Sequence, residues 1–281
     1  MMLSLFDSVL PFLQSFQTWL MLVLGLVIGS FLNVCILRIP DKTFFSHHRS
    51  VCPACGQPVP FWLNIPVFSY VMLRGRAACC QAPVSLQYPL VEAGTGLLLV
   101  LVYWHFPFIL RREDGFALDP SDFIRFVHLA LFSCVLVVIS VIDLRLQIIP
   151  DVISLPMILL SAVWVALHPE LDWQSSLIGV VAGGGGLYAV AWIYYMVRKD
   201  IGMGMGDVKL LAAIGGWLGY QALIPTVFLA SVLGASVGIG AIIVSGRMTL
   251  KTRIPFGPFL AIGSMIHILW GDELAEWLIT L

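Results

Sequence analysis

The stretch FVHLALFSCVLVVISVID, residues 126–143, is an apolar run that ends on a carboxylate, Asp143. A membrane-spanning helix needs about 20 mainly apolar residues, and this run is close to that length. A second aspartate, Asp207, lies in a similar setting within IGMGMGDVKLLAAIGGWLG, residues 201–219. An ionised carboxylate at membrane depth is costly unless it is paired, solvated or protonated. Two carboxylates that share one proton are what acid–base activation of water requires.

Each aspartate also has a plainer interpretation, in which it marks a helix end at the water boundary, where charged residues are common. The GxGD pattern at Asp207 recurs by chance, although its glycines give a backbone that can approach a substrate closely. Pro150 disfavours helix at the residue before it, so the chain is expected to turn after Asp143. Asp151 is then expected to cap the next helix.

The composition places the whole chain in a membrane. Of the 281 residues, 59% are hydrophobic and only 11% are charged, and the mean hydropathy is +0.96. Soluble domains contain roughly 25% charged residues. These values predict an all-α polytopic membrane protein. We expect about eight transmembrane helices, at residues 17–38, 88–109, 124–143, 152–168, 175–197, 208–223, 224–245 and 257–277.

The basic residues predict the orientation of these helices, because loops rich in Lys and Arg stay in the cytoplasm. If the N-terminus lies outside, 12 of the 15 basic residues fall on the cytoplasmic side. The inverted orientation would violate the rule throughout. Asp143 and Asp207 are therefore both expected at the cytoplasmic face. The formal net charge of −1 gives no reason to expect a nucleic-acid partner.

The predicted helices divide the chain into four segments. We expect an N-terminal region with the first transmembrane helix over 1–38, a cytoplasmic insert that contains cysteines over 39–87, a second transmembrane helix and loop over 88–123, and a six-helix block over 124–281. The insert is rich in Pro, Cys and Arg and has little helical periodicity. Four consecutive glycines at 183–186 are expected to let helix backbones pack closely.

Seven blocks of sequence, in this order, carry a resemblance to a known family. They are GSFLNVCILRIP (29–40), CPAC (52–55), NIPVFSYVMLRGR (64–76), APVSLQYPLVE (82–92), IDLRLQIIPD (142–151), GMGMGDVKLLAAIGGWLG (202–219) and RIPFGPFLAIG (253–263). Together they resemble the type IV prepilin peptidases, which are GxGD-type intramembrane aspartyl proteases that also N-methylate their product. The resemblance extends over nearly the whole chain, and seven ordered blocks are highly specific.

By this resemblance, Asp143 and Asp207 are the two catalytic aspartates, and proteolysis needs no metal. The family removes the leader peptide of prepilins or pseudopilins, from type IV pilus and type II secretion systems, at the cytoplasmic face of the bacterial inner membrane. It then methylates the new N-terminus with S-adenosylmethionine. The resemblance implies a bifunctional enzyme with a periplasmic N-terminus, in which one aspartate takes a proton from water and the other donates one.

The cysteines are where the chain departs from that family, which supplies a second C-x-x-C after RGR. Here the run is RGRAACCQAP (74–83), with Ala77 where the third cysteine is expected. We predict a structural zinc site whose ligands are Cys52, Cys55, Cys79 and Cys80. His47 and His48 are alternative ligands. The simpler alternative is a set of reduced cytosolic thiols.

The methyl-donor site is harder to place, because no nucleotide-binding glycine fingerprint lies in a strand–helix unit. The resemblance points to the first helix, the insert and the start of the second helix. Glu92, at the cytoplasmic end of the second helix, and Asn33 in the first are the candidates for binding S-adenosylmethionine. Glu92 has the alternative role of a hydrogen bond at a helix end.

Three other functions compete with this interpretation. A proton-coupled transporter would place acids near the bilayer centre on paired half-helices, whereas both aspartates are expected at one face. A membrane-anchored zinc-binding scaffold would leave the two aspartate motifs unexplained. A prepilin peptidase without methylation is the nearest alternative, because the cysteine block is altered.

Overall fold

The computed structural model of the protein describes residues 2–43, 51–52, 54–112, 115–167, 172–200, 203–245 and 254–279. Helices predominate within them, and one hairpin is present, in which β1 (Ile109–Arg112) pairs antiparallel with β2 (Gly115–Leu118). The α-helices, α1 to α9 in chain order, are Met2–Arg38, Phe68–Met72, Gln87–His105, Pro120–Leu146, Asp151–Leu167, Trp173–Arg198, Met205–Leu218, Leu223–Ser245 and Gly257–Ile279. Short 3-10 helices cover Phe61–Asn64 and Tyr220–Ala222.

Each of the eight predicted segments overlaps one of these helices. The second, predicted to end at 109, runs past the end of α3 at His105 into β1, and the sixth, predicted to end at 223, runs past the end of α7 at Leu218. The helices that are long and apolar enough to cross a membrane are Phe16–Arg38, Pro120–Leu146, Trp173–Arg198 and Tyr220–Val244. Two shorter apolar helices are Asp151–Leu167 and Gly257–Gly271. The described residues therefore support a multi-pass membrane protein with four clear spans, and the total of eight stays a prediction.

The apolar surface of α8 shows why a bilayer is required. In the span Tyr220–Val244, only 11% of the most apolar window is buried. Ile224 and Val244 are 81% and 89% exposed. Water disfavours a continuous apolar surface of this kind, and lipid removes that cost. The exposed face of α8 is thus suited to contact with lipid tails.

The chain folds as two compact units, with the division inside α4 after Val138. In the first unit, α1 and α3 pack antiparallel through a GxxxG pair on α1. A Cβ placed on Gly25 would lie 2.7 Å from Gly96 Cα, and one on Gly29 would lie 2.7 Å from Glu92 Cα. Small residues allow helix backbones to come this close in a membrane. This packing brings the start of α3 against the C-terminal end of α1.

In the second unit, α6 and α7 also pack antiparallel through glycine. A Cβ on Gly179 would lie 2.1 Å from Gly215 O, and one on Gly183 would lie 2.6 Å from Leu211 O. Any side chain at these two positions would push the helices apart. The predicted close approach of backbones is therefore confirmed for the start of the four-glycine run, while its last two glycines face open space.

The far end of α7 is anchored in the core of the second unit. Trp217 is 1% exposed, and its Nε1 donates a hydrogen bond to Met157 O on α5 at 2.7 Å. Its ring lies 5.8 Å from that of Trp164. Gly219 then ends the helix with a positive φ of 84°, where glycine has no steric penalty. This anchoring fixes the position of the first turn of α7, which carries Asp207.

Candidate active site

Asp143 lies in the last turn of α4 and is 5% exposed. Its Oδ2 accepts a hydrogen bond from the backbone N–H of Gly257 at 3.0 Å. Gly257 is the first residue of α9, so the carboxylate meets the positive end of a helix dipole, which favours negative charge. A Cβ at this position would lie 2.7 Å from Asp143 Oδ2. Glycine is therefore required for the contact.

Asp207 lies in the first turn of α7, after the N-cap residue Gly204. Its side chain is half-buried, and its backbone N–H donates to Gly204 O at 3.2 Å. Although α4 and α7 are separate in the chain, Gly206 beside Asp207 and Gly257, which donates to Asp143, both pack against Ile149. The second unit thus brings the helix ends that carry the two carboxylates together.

Ile149 packs between the start of α7, which carries Asp207, and the start of α9, whose first residue donates to Asp143. A Cβ on Gly206, next to Asp207, would lie 2.8 Å from Ile149 Cβ, and one on Gly257 would lie 3.3 Å from Ile149 Cδ1. Because neither glycine has a side chain, the isoleucine can occupy the space between their backbones. Neither Ile149 nor Gly257 was predicted as a site residue, although both lie in blocks that carry the family resemblance.

Asp151 begins α5, but its carboxylate pairs with a lysine. Oδ1 accepts from Lys209 Nζ at 2.5 Å, and the two side chains are 61% and 27% exposed, respectively. The carbonyl of Pro150 accepts the first amide bonds of the helix. The predicted capping role of Asp151 is not seen among the described residues. The ion pair joins the starts of α5 and α7 beside Asp207, and its exposure limits its contribution to stability.

The four cysteines of the insert converge on one point. Their Sγ atoms all lie within 4.8 Å of one another, with 3.7 Å between Cys52 and Cys80 and 3.3 Å between Cys55 and Cys79. Zn–S bonds of about 2.3 Å in a tetrahedron separate the sulfurs by about 3.8 Å. The donor set therefore fits a zinc ion. The alternative ligands His47 and His48 lie outside the described residues.

The two halves of this cluster repeat the same backbone turn. In the first half, Cys52 N–H donates to the carbonyl five residues later, and Gly56 N–H donates back to Cys52 O, both at 2.8 Å. The second half repeats both bonds at Ala77 and Gln81, again at 2.8 Å, and Gln81 also has a positive φ, 58° against 72° for Gly56. Ala77 therefore occupies the place of Cys52. Cys79 supplies the missing sulfur from two residues further along the chain.

The thiols of the cluster differ in acidity. Backbone N–H groups of Cys55 and Ala54 donate to the sulfur of Cys52 and lower its pKa to about 6. The hydrogen bond of Cys79 with Cys55, together with burial, raises the pKa of Cys79 to about 12. The thiolate is the form that binds metal. Cys52 therefore forms the thiolate more readily than Cys79.

Asn33 and Glu92 lie on the facing sides of α1 and α3 and are 2% and 7% exposed. Asn33 Nδ2 donates to Tyr88 O at 3.1 Å, and Gln87 Nε2 donates to Asn33 Oδ1 at 3.4 Å. Glu92 Oε2 accepts from the backbone N–H of Val67 at 2.7 Å. The helix pair thus brings the two candidates into one interface, and their binding of a methyl donor stays a prediction.

Comparisons with known proteins agree with this arrangement. Residues 23–106 match the bacterial peptidase A24 N-terminal domain, and residues 130–239 match the type IV leader peptidase family. Proteins named prepilin leader peptidase/N-methyltransferase are similar over most of their length. The one from Aeromonas hydrophila is 36% identical over 93% of this chain and 93% of its own. Those from Xanthomonas campestris pv. campestris and Pseudomonas aeruginosa are each 35% identical. The alignments cover 90% and 91% of this chain, respectively, and 91% of each relative.

No solved structure matches the chain. The two family matches lie in the expected order and together include the cysteine cluster, the α1–α3 pair and both aspartates. The predicted resemblance is confirmed, and the chain belongs to the type IV leader peptidase family.

Proposed function

We propose that the protein is a bifunctional membrane enzyme that cleaves the leader peptide of type IV prepilins or pseudopilins and N-methylates the new N-terminus. The observation that supports this proposal is the packing of Gly206 and Gly257 against Ile149, which brings the helix ends that carry Asp207 and Asp143 together. Relatives that align with 90% or more of the chain are named for both activities. A transporter would place its acids near the bilayer centre and not at helix ends, and a zinc-binding scaffold would not need two acids brought together from separate helices.

Two carboxylates supply everything that peptide-bond hydrolysis needs. The ionised member of the pair takes a proton from water as the water attacks the scissile carbonyl. The protonated member donates to the carbonyl oxygen or to the leaving amine, and the pair titrates as a unit. Gly257 holds one oxygen of Asp143, which leaves the other available to water. Ile149 fixes the spacing between the start of α7 and the start of α9. Both proton transfers come from Asp143 and Asp207, so this mechanism uses no metal.

The position of the aspartates at helix ends supports a reaction at the membrane surface. Asp143 ends α4 and Asp207 begins α7, where water and a scissile bond at the interface can both be reached. Eight helices in the bacterial inner membrane, with the N-terminus in the periplasm, place this end of the helices in the cytoplasm. The insert at 39–87 lies on the same side.

The methyl donor, S-adenosylmethionine, binds near the cytoplasmic end of the α1–α3 pair and supplies an activated methyl group. Asn33 and Glu92 are the polar groups available there. Buried polar side chains in an apolar helix pair are costly and mark functional sites. Their position next to the insert supports a role for 39–87 in methylation.

A structural zinc ion would be held by Cys52, Cys55, Cys79 and Cys80. The sulfur separations close to those of a tetrahedron support this assignment. The ion would fasten the two repeated turns of the insert to each other and take no part in hydrolysis. Chelation is therefore expected to loosen residues 39–87 before it affects cleavage.

The proposed function is tested with the purified protein in liposomes, a prepilin or a pseudopilin, and labelled S-adenosylmethionine. The intact mass of the product is followed for the wild type and for Asp143→Asn. Loss of the leader plus one methyl group in the wild type, and neither in the variant, is the expected result. Leader loss without the methyl group would identify a peptidase alone. Normal cleavage by Asp143→Asn would refute the role of the pair.

A further inference from the structure

A strained turn in the insert lies directly against Glu92. Val67 has φ 60° and ψ −46°, and Phe68 N–H donates to Pro66 O at 2.6 Å across it. These values define a γ-turn of the positive-φ type, which is rare and strained. For a β-branched residue such a φ is an outlier. A conformation of this kind persists only when its surroundings enforce it.

The carboxylate of Glu92 holds Val67 in this strained conformation. Glu92 Oε2 accepts the N–H of Val67 at 2.7 Å, and the acid is 7% exposed. The main chain of Glu92 is itself fixed, because Gly29 on α1 packs against its Cα. A short hydrogen bond to a buried carboxylate is among the stronger contacts in a protein. The turn is therefore tied to the α1–α3 pair and not to the insert alone.

The turn also sets the position of the cysteine cluster. Val67 precedes α2, and Val67 O accepts from Val71 N–H at 3.0 Å within that helix. At the end of α2, Gly75 N–H donates to Tyr70 O at 2.9 Å, and Gly75 O accepts from Val84 N–H at 2.8 Å. These bonds bracket the second cysteine turn. Hydrogen bonds thus connect Glu92 through α2 to the base of the turn that carries Cys79 and Cys80.

We propose that Glu92 is a positioning residue for methylation, whose carboxylate holds the γ-turn at Val67 and thereby keeps the cysteine-containing insert against the α1–α3 pair. This inference rests on the proposed methyltransferase activity and gives Glu92 a role through the insert. It requires an acceptor oxygen at residue 92. A net charge there is not required.

The test combines trypsin cleavage of the insert with methylation of a peptide that already has the mature N-terminus. Arg74 and Arg76 are exposed sites within the insert. Glu92→Ala removes the acceptor and is expected to speed cleavage there by about tenfold and to lower kcat/KM for methylation by about tenfold. Glu92→Gln keeps an acceptor oxygen and is expected to restore the protection of the insert.

A second variant separates positioning from direct binding of the donor. Val67→Gly lets the backbone adopt the turn without help, because glycine reaches positive φ at no cost. Glu92→Ala combined with Val67→Gly is therefore expected to recover both protection and methylation. The matched control is Glu92→Ala with Val71→Gly, a substitution at an exposed position of α2 with ordinary helical geometry. It should recover neither.

Several outcomes would overturn the inference. If Glu92→Ala left trypsin cleavage unchanged, Glu92 would not act through the turn. The same would follow if adding Val67→Gly to Glu92→Ala restored neither protection nor methylation. If Glu92→Gln kept the insert protected but raised KM for S-adenosylmethionine as much as alanine does, the acid would bind the donor directly. Absence of methylation in the wild type would refute the proposed function instead, and the cleavage rates would still decide whether Glu92 holds the turn.

Discussion

Each unit of the molecule contains a buried carboxylate that accepts a backbone N–H from a distant segment. Glu92 accepts from Val67 at 2.7 Å, and Asp143 accepts from Gly257 at 3.0 Å. In the second unit, the donor Gly257 begins a long helix, and a second acid, Asp207, lies near Asp143. In the first unit, the donor Val67 is the centre of a strained turn. A second carboxylate allows proton exchange, which a single acid bound to a loop cannot provide. Burial and a backbone hydrogen bond therefore do not by themselves make an acid catalytic.

The largest effect is expected at the aspartates of the second unit, compared with Glu92 in the first. Asp207→Asn removes one member of the pair and should slow leader cleavage by about 10³-fold or more, because general acid–base catalysis contributes about 10² to 10⁴-fold. The rate is measured on a purified prepilin, with membrane insertion checked by protease accessibility of the loops. Glu92→Ala is the matched variant in the other unit. Equal loss of cleavage in both variants would show that Glu92 is as important for hydrolysis as Asp207.

The hydrogen bond to Asp143 is tested by Gly257→Ala. The added Cβ would lie 2.7 Å from Asp143 Oδ2, so the carboxylate must move, and a misplacement of about 1 Å can cost about 10²-fold in rate. Single-turnover cleavage measures this loss. Gly186→Ala in α6 is the control, since nothing lies within 4 Å of its added Cβ. A Gly257→Ala enzyme with wild-type rate would show that this contact does not position the acid.

The glycine contacts of the two units should differ in what they contribute to stability. Gly179→Ala places a Cβ 2.1 Å from Gly215 O, and overpacking of this kind costs about 1–3 kcal/mol. Gly25→Ala, with 2.7 Å to Gly96 Cα, should cost less. Unfolding in detergent, followed by circular dichroism, measures both against Gly185→Ala, which faces open space. A larger loss at Gly25 would reverse the expected order.

The cysteine cluster is tested by moving one sulfur. Cys79→Ala should leave three thiolates, so the Co²⁺–thiolate absorption of the metal-substituted protein should fall to about three-quarters. Adding Ala77→Cys to that variant restores the regular C-x-x-C turn and should restore the band. Leader cleavage should change in neither variant. An undiminished band in Cys79→Ala would show that this sulfur is not a ligand.

The smallest effect is expected at the exposed ion pair. Lys209→Met should lower the free energy of unfolding by less than about 1 kcal/mol, because solvent screens the pair with Asp151. Denaturant unfolding measures the change, with Asp151→Asn as the partner variant. Lys209 is two residues from Asp207, so a large loss of cleavage without a loss of stability would assign the lysine a part in the reaction.

Much of the helical architecture follows from local sequence. The span predicted at 175–197 is the helix Trp173–Arg198, and a short turn at Gly219 and Tyr220–Ala222 separates α7 from α8. The sixth segment was wrongly extended to 223, because apolar residues continue past Gly219, whereas α7 ends at Leu218. Apolar length predicts burial in lipid, but only the backbone conformation decides where a helix stops.

The apolar runs, the aspartates at their ends and the cysteines of the insert can be recognised in the sequence alone, since each depends on residues close together in the chain. Which of these groups meet is known only from the tertiary structure. The Asp143–Gly257 bond joins residues 114 positions apart, and Cys79 substitutes for a cysteine at Ala77 only because two turns face each other. The bond between Glu92 and Val67 likewise exists because glycine contacts place α3 against α1. Such contacts depend on how helices pack, which local composition does not encode.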